Sequence, residues 1–198
     1  MTARSSATLF TAERFRAIEL GTEDVPELQR FFDENPEYFV IVTGKGPHRA
    51  EADEEIHRLL PEGWPFTKKW VIGFVDDDDS MIGMADVVSD LLAEHVWHIG
   101  LFIVATRMHG ERVAQLLYGH LECWARGRGA QWLRLGVVEG NARAERFWQR
   151  CGFVEVRKRD GVQIGPRTHT IRVMFKPLAG GSLREYLAKV ARDRPDAS

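Results

Sequence analysis

The sequence predicts a single α/β domain of the α+β type, in which a mixed, mostly antiparallel sheet of about seven strands is flanked by helices. Three observations lead to this fold class. The 198 residues fit one domain, and 44% hydrophobic with 28% charged residues is typical of a globular protein. Short apolar segments with strand-like patterns are interleaved with segments of helical periodicity. Residues 132–138 are apolar on both faces, which predicts a central strand covered on both sides.

The first quarter of the chain predicts a strand and two helices. Residues 15–20 alternate in the manner of a strand. Asp24, followed by Glu27, predicts the start of a helix. Residues 38–42 are apolar and ambiguous between a helix end and a short strand. Residues 51–60 predict a second helix that ends at a proline.

Two further strands, over residues 70–75 and 81–88, surround four consecutive aspartates. Four aspartates raise the possibility of calcium binding, but the alternating spacing and the distal glutamate of an EF-hand loop are absent. The favoured interpretation is therefore a solvated hairpin turn, and no metal site is predicted.

The second half of the chain predicts the remaining sheet. Strands are expected over residues 96–104, 132–138, 154–156 and 168–175, with an amphipathic helix over residues 110–126. We expect residues 1–13 to be a flexible N-terminal leader and residues 14–178 to be the domain. Residues 179–198 follow a Gly-Gly pair as a charged tail that can form a short helix over residues 183–190.

Composition excludes several classes of function. A formal net charge of −2 provides no basic surface for nucleic acid and no polybasic patch for a membrane. No apolar run approaches the roughly 20 residues that span a bilayer, and the N-terminus lacks a signal-peptide pattern. Cys123 and Cys151 form neither a CxxC pair nor a disulfide framework, so we expect packing roles and a cytoplasmic protein.

The most distinctive segment runs from Gly100 to Phe153. It reads as a strand, a glycine-bearing turn, an amphipathic helix, a second strand and a helix capped by Asn141. Its end has the order Asn-x-x-Ala-x-x-aromatic, from Asn141 to Phe147, followed by Gly-Phe. The segment resembles the GNAT superfamily of acyl-CoA-dependent N-acetyltransferases. The resemblance covers roughly residues 15–177 and implies a GNAT-like domain with acetyl-CoA as acyl donor.

In this family the helix after the fourth strand opens with Arg/Gln-x-x-Gly-x-Gly/Ala, whose N–H groups bind the pyrophosphate of the cofactor. Arg107 and Gly110 match that pattern, whereas Arg112 stands where a second small residue is expected. The large side chain could crowd the loop, or it could add positive charge beside the phosphates. The resemblance implies that His109 and Val113 also belong to this cofactor-binding loop.

The resemblance also assigns residues along the rest of the cofactor. Asn141 and Phe147 would lie beside the pantetheine arm, and a backbone N–H near Ile103 and Val104 would stabilise the oxyanion. Trp148 occupies the position of a tyrosine that protonates the departing thiolate in many family members. Because an indole N–H is a poor acid, we expect Trp148 to be a wall of the acyl channel.

A base must take the proton of the attacking ammonium group, and the sequence offers His98 and Asp86 for this role. Glu94 and His95 are further candidates. His98 has a suitable intrinsic pKa but can equally be a hydrogen-bonded core residue. Asp86 is an acid in an apolar strand, so it needs a partner or a function. Together with Asp90 and Glu94 it could form an acidic pocket for a cationic amine.

The sequence therefore predicts transfer of an acetyl group from acetyl-CoA to a primary amine, of a small molecule, by direct attack in a ternary complex. The alternative is a non-catalytic acyl-CoA-binding or interaction protein on the same fold. A nucleotide-dependent oxidoreductase or kinase is disfavoured because no GxGxxG or Walker sequence follows an early strand. A homodimer is compatible with this prediction, and neither the acceptor nor the oligomeric state is specified by the sequence.

Overall fold

The computed structural model describes residues 7–197, which form an eight-stranded mixed sheet with helices on both faces. The strands are β1 Thr8–Ala12, β2 Phe15–Glu19, β3 Lys68–Val75, β4 Met81–Ser89, β5 Val96–Val104, β6 Trp132–Val138, β7 Val154–Ile164 and β8 Arg167–Pro177. Their order in the sheet is β1-β2-β3-β4-β5-β6-β8-β7. Within it β5 and β6 are parallel, and the other neighbouring pairs are antiparallel. The predicted fold class is confirmed, with eight strands in place of about seven.

The helices of the described chain divide between the two faces of the sheet. They are α1 Val25–Glu34, α2 Glu37–Thr43, α3 Glu51–His57, α4 Val113–Gly127, α5 Ala142–Arg150 and α6 Leu183–Lys189. The first three share a core with β5, where Phe32 and Leu101 belong to one buried cluster. On the other face, Leu117 of α4 shares a core with Leu135 of β6. In the described chain, no helix combines the length and apolar character needed to cross a bilayer.

The two parallel strands in the middle of the sheet separate along their length. Residues 96–99 of β5 pair with residues 132–135 of β6, and the pairing ends there. Gly100 has no partner in the register with β4, so β5 is bulged at this residue. A bulge bends its strand and increases the local twist. Beyond Gly100 the two strands therefore diverge and leave a gap in the sheet.

The N-terminal segment differs from the expected flexible leader. Residues 8–12 form β1 and pair with β2, whereas residues 1–6 lie outside the described residues. The ring of Phe10 packs at centroid distances of 6.2 Å from Phe74 and 5.5 Å from Trp124. This edge strand is held by aromatic contacts with residues far away in the sequence.

The C-terminal segment also differs from an expected tail, because it is bonded to the sheet. Arg134 of β6 donates to Asp193 over 2.6 and 2.9 Å, and both side chains are almost completely buried. Helix α6 forms as predicted and buries Tyr186 against Trp132 and Phe175. The strand predicted over residues 154–156 continues to Ile164. Its residues are largely exposed, and its backbone pairing with β8 holds it in place.

Helix boundaries show where local signals were misleading. Asp24 accepts the N–H of Gly21 over 2.9 Å in a 3₁₀ turn and makes no capping bond to α1. The ambiguous residues 38–42 belong to α2, and the helix predicted over residues 51–60 ends at His57. The aspartate turn is a hairpin between β3 and β4, as predicted, with Asp76 accepting backbone N–H groups of the turn.

Candidate active site

Three neighbouring cavities lie in and beside the gap between β5 and β6. The central cavity, of about 200 Å³, lies between α2, β5 and α5. The arginine cavity, of about 310 Å³, lies where α4 begins beside α5, and the groove, of about 300 Å³, lies between α2 and the β7–β8 hairpin. The central cavity shares His109, Ala114, Arg143 and Phe147 with the arginine cavity, and Tyr38, Phe102, Asn141, Ala144 and Trp148 with the groove. Adjoining cavities therefore share walls, and together the three form a path from the start of α4 to the β7–β8 hairpin.

The walls of the central cavity are aromatic side chains and the start of α5. Phe147 stacks on Phe102 with an interplanar angle of 12°, and Trp148 meets Phe102 edge-on. Asn141 accepts the N–H of Ala144 over 3.2 Å, so the predicted N-cap of α5 is confirmed. On the inner face of this helix Trp148 is buried, whereas Ala144 and Phe147 are half-buried. The cap and the rings together fix one side of the cavity.

The backbone of β5 presents polar groups to the gap. Ala105 donates its N–H to the carbonyl of Ile82 on β4 over 2.9 Å. Because backbone groups alternate along a strand, the N–H of Ile103 also faces β4, whereas those of Phe102 and Val104 face the gap. The carbonyl of Val104 accepts from the His109 ring over 3.1 Å. Of the two residues expected near the oxyanion, Val104 thus presents its N–H and Ile103 contributes its side chain to the lining.

The arginine cavity combines a helix N-terminus with four guanidinium groups. Val113, Ala114 and Gln115 form the first turn of α4, whose N–H groups have no intrahelical acceptor, and they line this cavity. The arginines of the lining are Arg112, Arg143, Arg146 and Arg150. No Asp or Glu is present in the described lining. Backbone dipoles and unbalanced positive charge together favour a phosphate-bearing ligand.

The loop before α4 adopts the conformation that glycines normally provide. Gly110 has a φ of 94° and Arg112 a φ of 59°, both in the left-handed region. An arginine in this region costs about 1–2 kcal/mol relative to a right-handed conformation. Arg107 does not line the arginine cavity, because its guanidinium donates to the carbonyl of Met81 over 3.3 Å. The arginine cavity is lined by the other residues that were expected in the cofactor-binding loop, His109, Gly110, Arg112 and Val113.

His98 lies in the groove, but its surroundings make it a weak base. Its Nδ1 lies 3.3 Å from the guanidinium of Arg134. Because arginine only donates, this nitrogen accepts, and the remaining proton of the neutral ring is on Nε2. Burial, and then the charge of Arg134, lower the pKa of His98 to about 3. At neutral pH the imidazole is therefore uncharged and its accepting nitrogen is occupied.

Asp86 belongs to a buried acidic pair that lies behind the floor of the groove. Burial, and then Asp86, raise the pKa of Glu55 to about 8. Glu55 in its protonated form donates to Asp86, and Lys69 lies 3.3 Å from Asp86. A Cβ built on Gly100 would lie 3.4 Å from the Asp86 carboxyl, and Gly100 lines the groove. Asp86 thus lies behind the bulge that opens the gap.

Tyr38 stands between that acidic pair and the cavities. It lines both the central cavity and the groove. Burial, and then the charge of Glu55, raise the pKa of its hydroxyl to about 12. The phenol therefore remains protonated at neutral pH.

The acidic pocket expected from Asp86, Asp90 and Glu94 does not form. Asp90 accepts the N–H of His95 over 2.7 Å in the turn before β5, and Glu94 is exposed in the same turn. That turn lies at the opposite end of β5 from the gap. The local sequence proximity of these acids was misleading because a strand separates two of them from the site.

Several lining residues were missed by sequence reasoning. Tyr38, Trp64 and Arg159 reach the groove from three separate elements, and no local pattern marks them. Arg143, Arg146 and Arg150 differ, because their i, i+3, i+7 spacing places them on one helix face. That spacing was a readable signal for the arginine cavity.

Comparisons with known proteins agree with this architecture. The Acetyltransferase (GNAT) family model matches residues 12–153. An acetyltransferase from Thermus thermophilus is 19% identical, with a TM-score of 0.64 over 87% of this chain and 100% of that chain. Spermidine N-acetyltransferase from Vibrio cholerae, solved with CoA and spermine, is 16% identical, with a TM-score of 0.64 over 84% and 97%. The ribosomal-protein-S18-alanine N-acetyltransferase from Escherichia coli is 15% identical, with a TM-score of 0.60 over 85% and 97%. No curated protein sequence matches the chain.

The structural likenesses, at these identities, show the shared fold. The family match spans most of the chain and includes β5, the start of α4 and the whole of α5, which together build the gap and the arginine cavity. The resemblance that the segment from Gly100 to Phe153 indicated is thereby confirmed, and the chain belongs to the acetyltransferase (GNAT) family.

Proposed function

We propose that the protein transfers the acetyl group of acetyl-CoA to a primary amine of a small molecule in a ternary complex. The observation that supports this most strongly is the row of adjoining cavities at the sheet gap, from the arginine cavity through the central cavity to the groove. Two substrates that approach from opposite faces can meet at such a gap without a covalent enzyme intermediate.

The residues of the first two cavities fit the donor. The phosphates of acetyl-CoA would be held by the first turn of α4 and by the arginines beside it. The apolar, aromatic central cavity suits the pantetheine arm, and Asn141 and Phe147, which line it, would lie beside that arm. Trp148 lines the junction with the groove, which supports its role as a wall of the acyl channel.

The chemistry follows from which groups face the gap. The amine nitrogen attacks the thioester carbonyl, the C–N bond forms, and the C–S bond breaks as the thiolate leaves. The N–H groups of Phe102 and Val104 are oriented to stabilise the negative charge that develops on the carbonyl oxygen. A thiol like that of CoA has a pKa of about 8.5, so solvent can protonate the leaving thiolate.

The proton that the amine loses requires an acceptor. A neutral His98 with its Nδ1 occupied is a poor one, whereas the pair of Asp86 and Glu55 behind the bulge at Gly100 can hold a proton between two carboxyl groups. These contacts favour Asp86, hydrogen-bonded to Glu55, over His98. Because Asp86 does not line the groove, the transfer would pass through water.

A small acceptor is favoured by the shape of the groove. Its volume of about 300 Å³ is at the lower end for ligand cavities. The β7–β8 hairpin is bonded to α2, with His169 lying 2.7 Å from the carbonyl of Val42 and Arg167 lying 3.3 Å from that of Ile41. These bonds close one side of the groove, where an extended peptide would otherwise pass.

Calorimetry with acetyl-CoA, followed by thiol release with a panel of amines and mass spectrometry of the products, tests the proposal. We expect acetyl-CoA to bind and an N-acetylated amine to form in step with free thiol. Absence of acetyl-CoA binding would reject the proposal. Binding without turnover of any amine would instead support the non-catalytic alternative.

A further inference from the structure

We infer that the acceptor amine carries an anionic group, a carboxylate or a phosphate, and that Arg159 binds this group in the groove. The inference rests on the proposed function and specifies its substrate class. It replaces the cationic amine that an acidic pocket would have selected.

The charges in the groove are the first argument. Its described lining contains Arg134 and Arg159 and no Asp or Glu. Arg159 comes from β7 and is half-buried, and its guanidinium has no carboxylate partner or hydrogen-bond acceptor among the described residues. Partial burial removes water from the guanidinium, which costs free energy when no hydrogen-bond acceptor replaces that water. A bound anion would supply such acceptors and offset this cost.

The other cations nearby do not compete for that role. Arg134 is already neutralised by Asp193, which also accepts from the hydroxyl of Tyr186 over 2.5 Å. Arg192 stacks over the ring of Trp64 at 4.1 Å. Burial, and then the charges of Arg159 and Arg134, lower the pKa of Arg192, which places Arg159 and Arg134 each within electrostatic range of Arg192.

The resulting potential discriminates between amines. A second ammonium group in the groove would meet Arg159 in a described lining without carboxylates, and the nearby Asp193 is paired with Arg134. A carboxylate or phosphate would instead form a charge-assisted bond to Arg159. Because the groove extends from the hairpin to the gap, one molecule can place its anionic end by Arg159 and its amine toward the thioester.

Matched pairs of amines test the inference. Leucine and leucinamide differ in the carboxylate, 2-aminoethylphosphonate provides the phosphorus counterpart, and 1,4-diaminobutane provides the second ammonium. We expect kcat/KM for leucine or for the phosphonate to exceed that for the amide and the diamine by about 10- to 100-fold. Arg159→Gln should remove this preference while acetyl-CoA binding stays unchanged. Arg184→Gln, which alters an exposed arginine on α6, is the matched control and should keep the preference.

Two results would overturn the inference. One is a kcat/KM for the amide or the diamine that equals or exceeds those of the anionic amines, and the other is a preference that survives in Arg159→Gln. If acetyl-CoA binds but no amine is acetylated, the proposed acetyl transfer is rejected without a test of the anion site. In that case, direct binding of leucine and of the phosphonate tests the anion site. If the parent protein binds these ligands and Arg159→Gln does not, the anion site is supported. If the parent protein does not bind them, the anion site is rejected.

Discussion

Replacing Arg112 by glycine should stabilise the protein and weaken acetyl-CoA binding at the same time. With a φ of 59°, Arg112 is in a conformation that costs a non-glycine residue about 1–2 kcal/mol. Glycine relieves that strain but adds about 0.5–1 kcal/mol of entropy to the unfolded chain. The net gain in the free energy of unfolding is between about 0 and 1.5 kcal/mol, and its midpoint of about 0.75 kcal/mol raises Tm by about 1.5–3 °C for a chain of this size.

The effect on affinity has the opposite sign. Arg112 is one of four arginines around a cavity without carboxylates in its described lining. A charge-assisted bond to phosphate contributes about 1.5–3 kcal/mol, and solvent exposure reduces this to about 1–1.5 kcal/mol. Arg112→Gly should therefore raise the Kd for acetyl-CoA about 5- to 10-fold, measured by calorimetry, with a smaller difference at high salt.

Two controls separate charge from conformation. Arg112→Lys keeps the charge and the left-handed strain, so its affinity and Tm should remain near those of the parent protein. S-acetylpantetheine lacks the phosphates, so it should bind the parent and Arg112→Gly equally. Tighter acetyl-CoA binding by Arg112→Gly would refute the reasoning, because it would mean that the arginine crowds the loop.

Three further predictions concern stability. Because the pKa of His98 is lowered to about 3 by burial and by Arg134, the folded protein resists a proton that the unfolded chain takes up near pH 6.5. Stability should therefore fall as pH decreases from about 6.5 towards 3, and urea midpoints should show a smaller fall in His98→Gln. Asp193→Asn leaves the buried Arg134 charge uncompensated and should lower the free energy of urea unfolding by about 3 kcal/mol, whereas Asp196→Asn, at an exposed site, should have little effect. Asn141→Ala removes the cap of α5 and should lower the free energy of unfolding by about 1 kcal/mol.

Each of these predictions has a result that contradicts it. Parallel pH curves for the parent and His98→Gln would mean that the imidazole is freely protonated in the folded state. Equal unfolding free energies for Asp193→Asn and Asp196→Asn would mean that the C-terminal segment is not bonded to the sheet. An unchanged unfolding free energy in Asn141→Ala would show that the cap contributes nothing.

The elements predicted best are those whose own residues determine them. Strands β5 and β6 have the predicted bounds, since continuous apolar runs are characteristic of central strands. The cap at Asn141 also follows from local backbone chemistry, because a short polar side chain before a helix accepts one of its free N–H groups. The family resemblance, which was confirmed, rests on the segment from Gly100 to Phe153 that contains these elements.

The elements predicted least well depend on partners far away in the sequence. β7 beyond residue 156 is largely exposed and persists through its ladder with β8. The groove takes Tyr38 from α2, Trp64 from a loop and Arg159 from β7, and only the folded topology brings these together. The expected acidic pocket does not form for the same reason. Asp90 and Glu94 are close to Asp86 in the sequence but lie at the end of β5 that is far from the gap.

The distribution of charge is more informative about this site than the net charge. The chain carries a formal charge of −2, yet the described linings at both ends of the path contain arginines and no carboxylates. At one end the arginines suit the phosphates of the donor, and at the other the unpaired Arg159 suits an anion on the acceptor. The central cavity between them is mainly apolar and aromatic, with Glu37 as the one acid in its described lining. Two anionic ligands would thus be anchored at their outer ends, which leaves the thioester and the amine to meet at the gap.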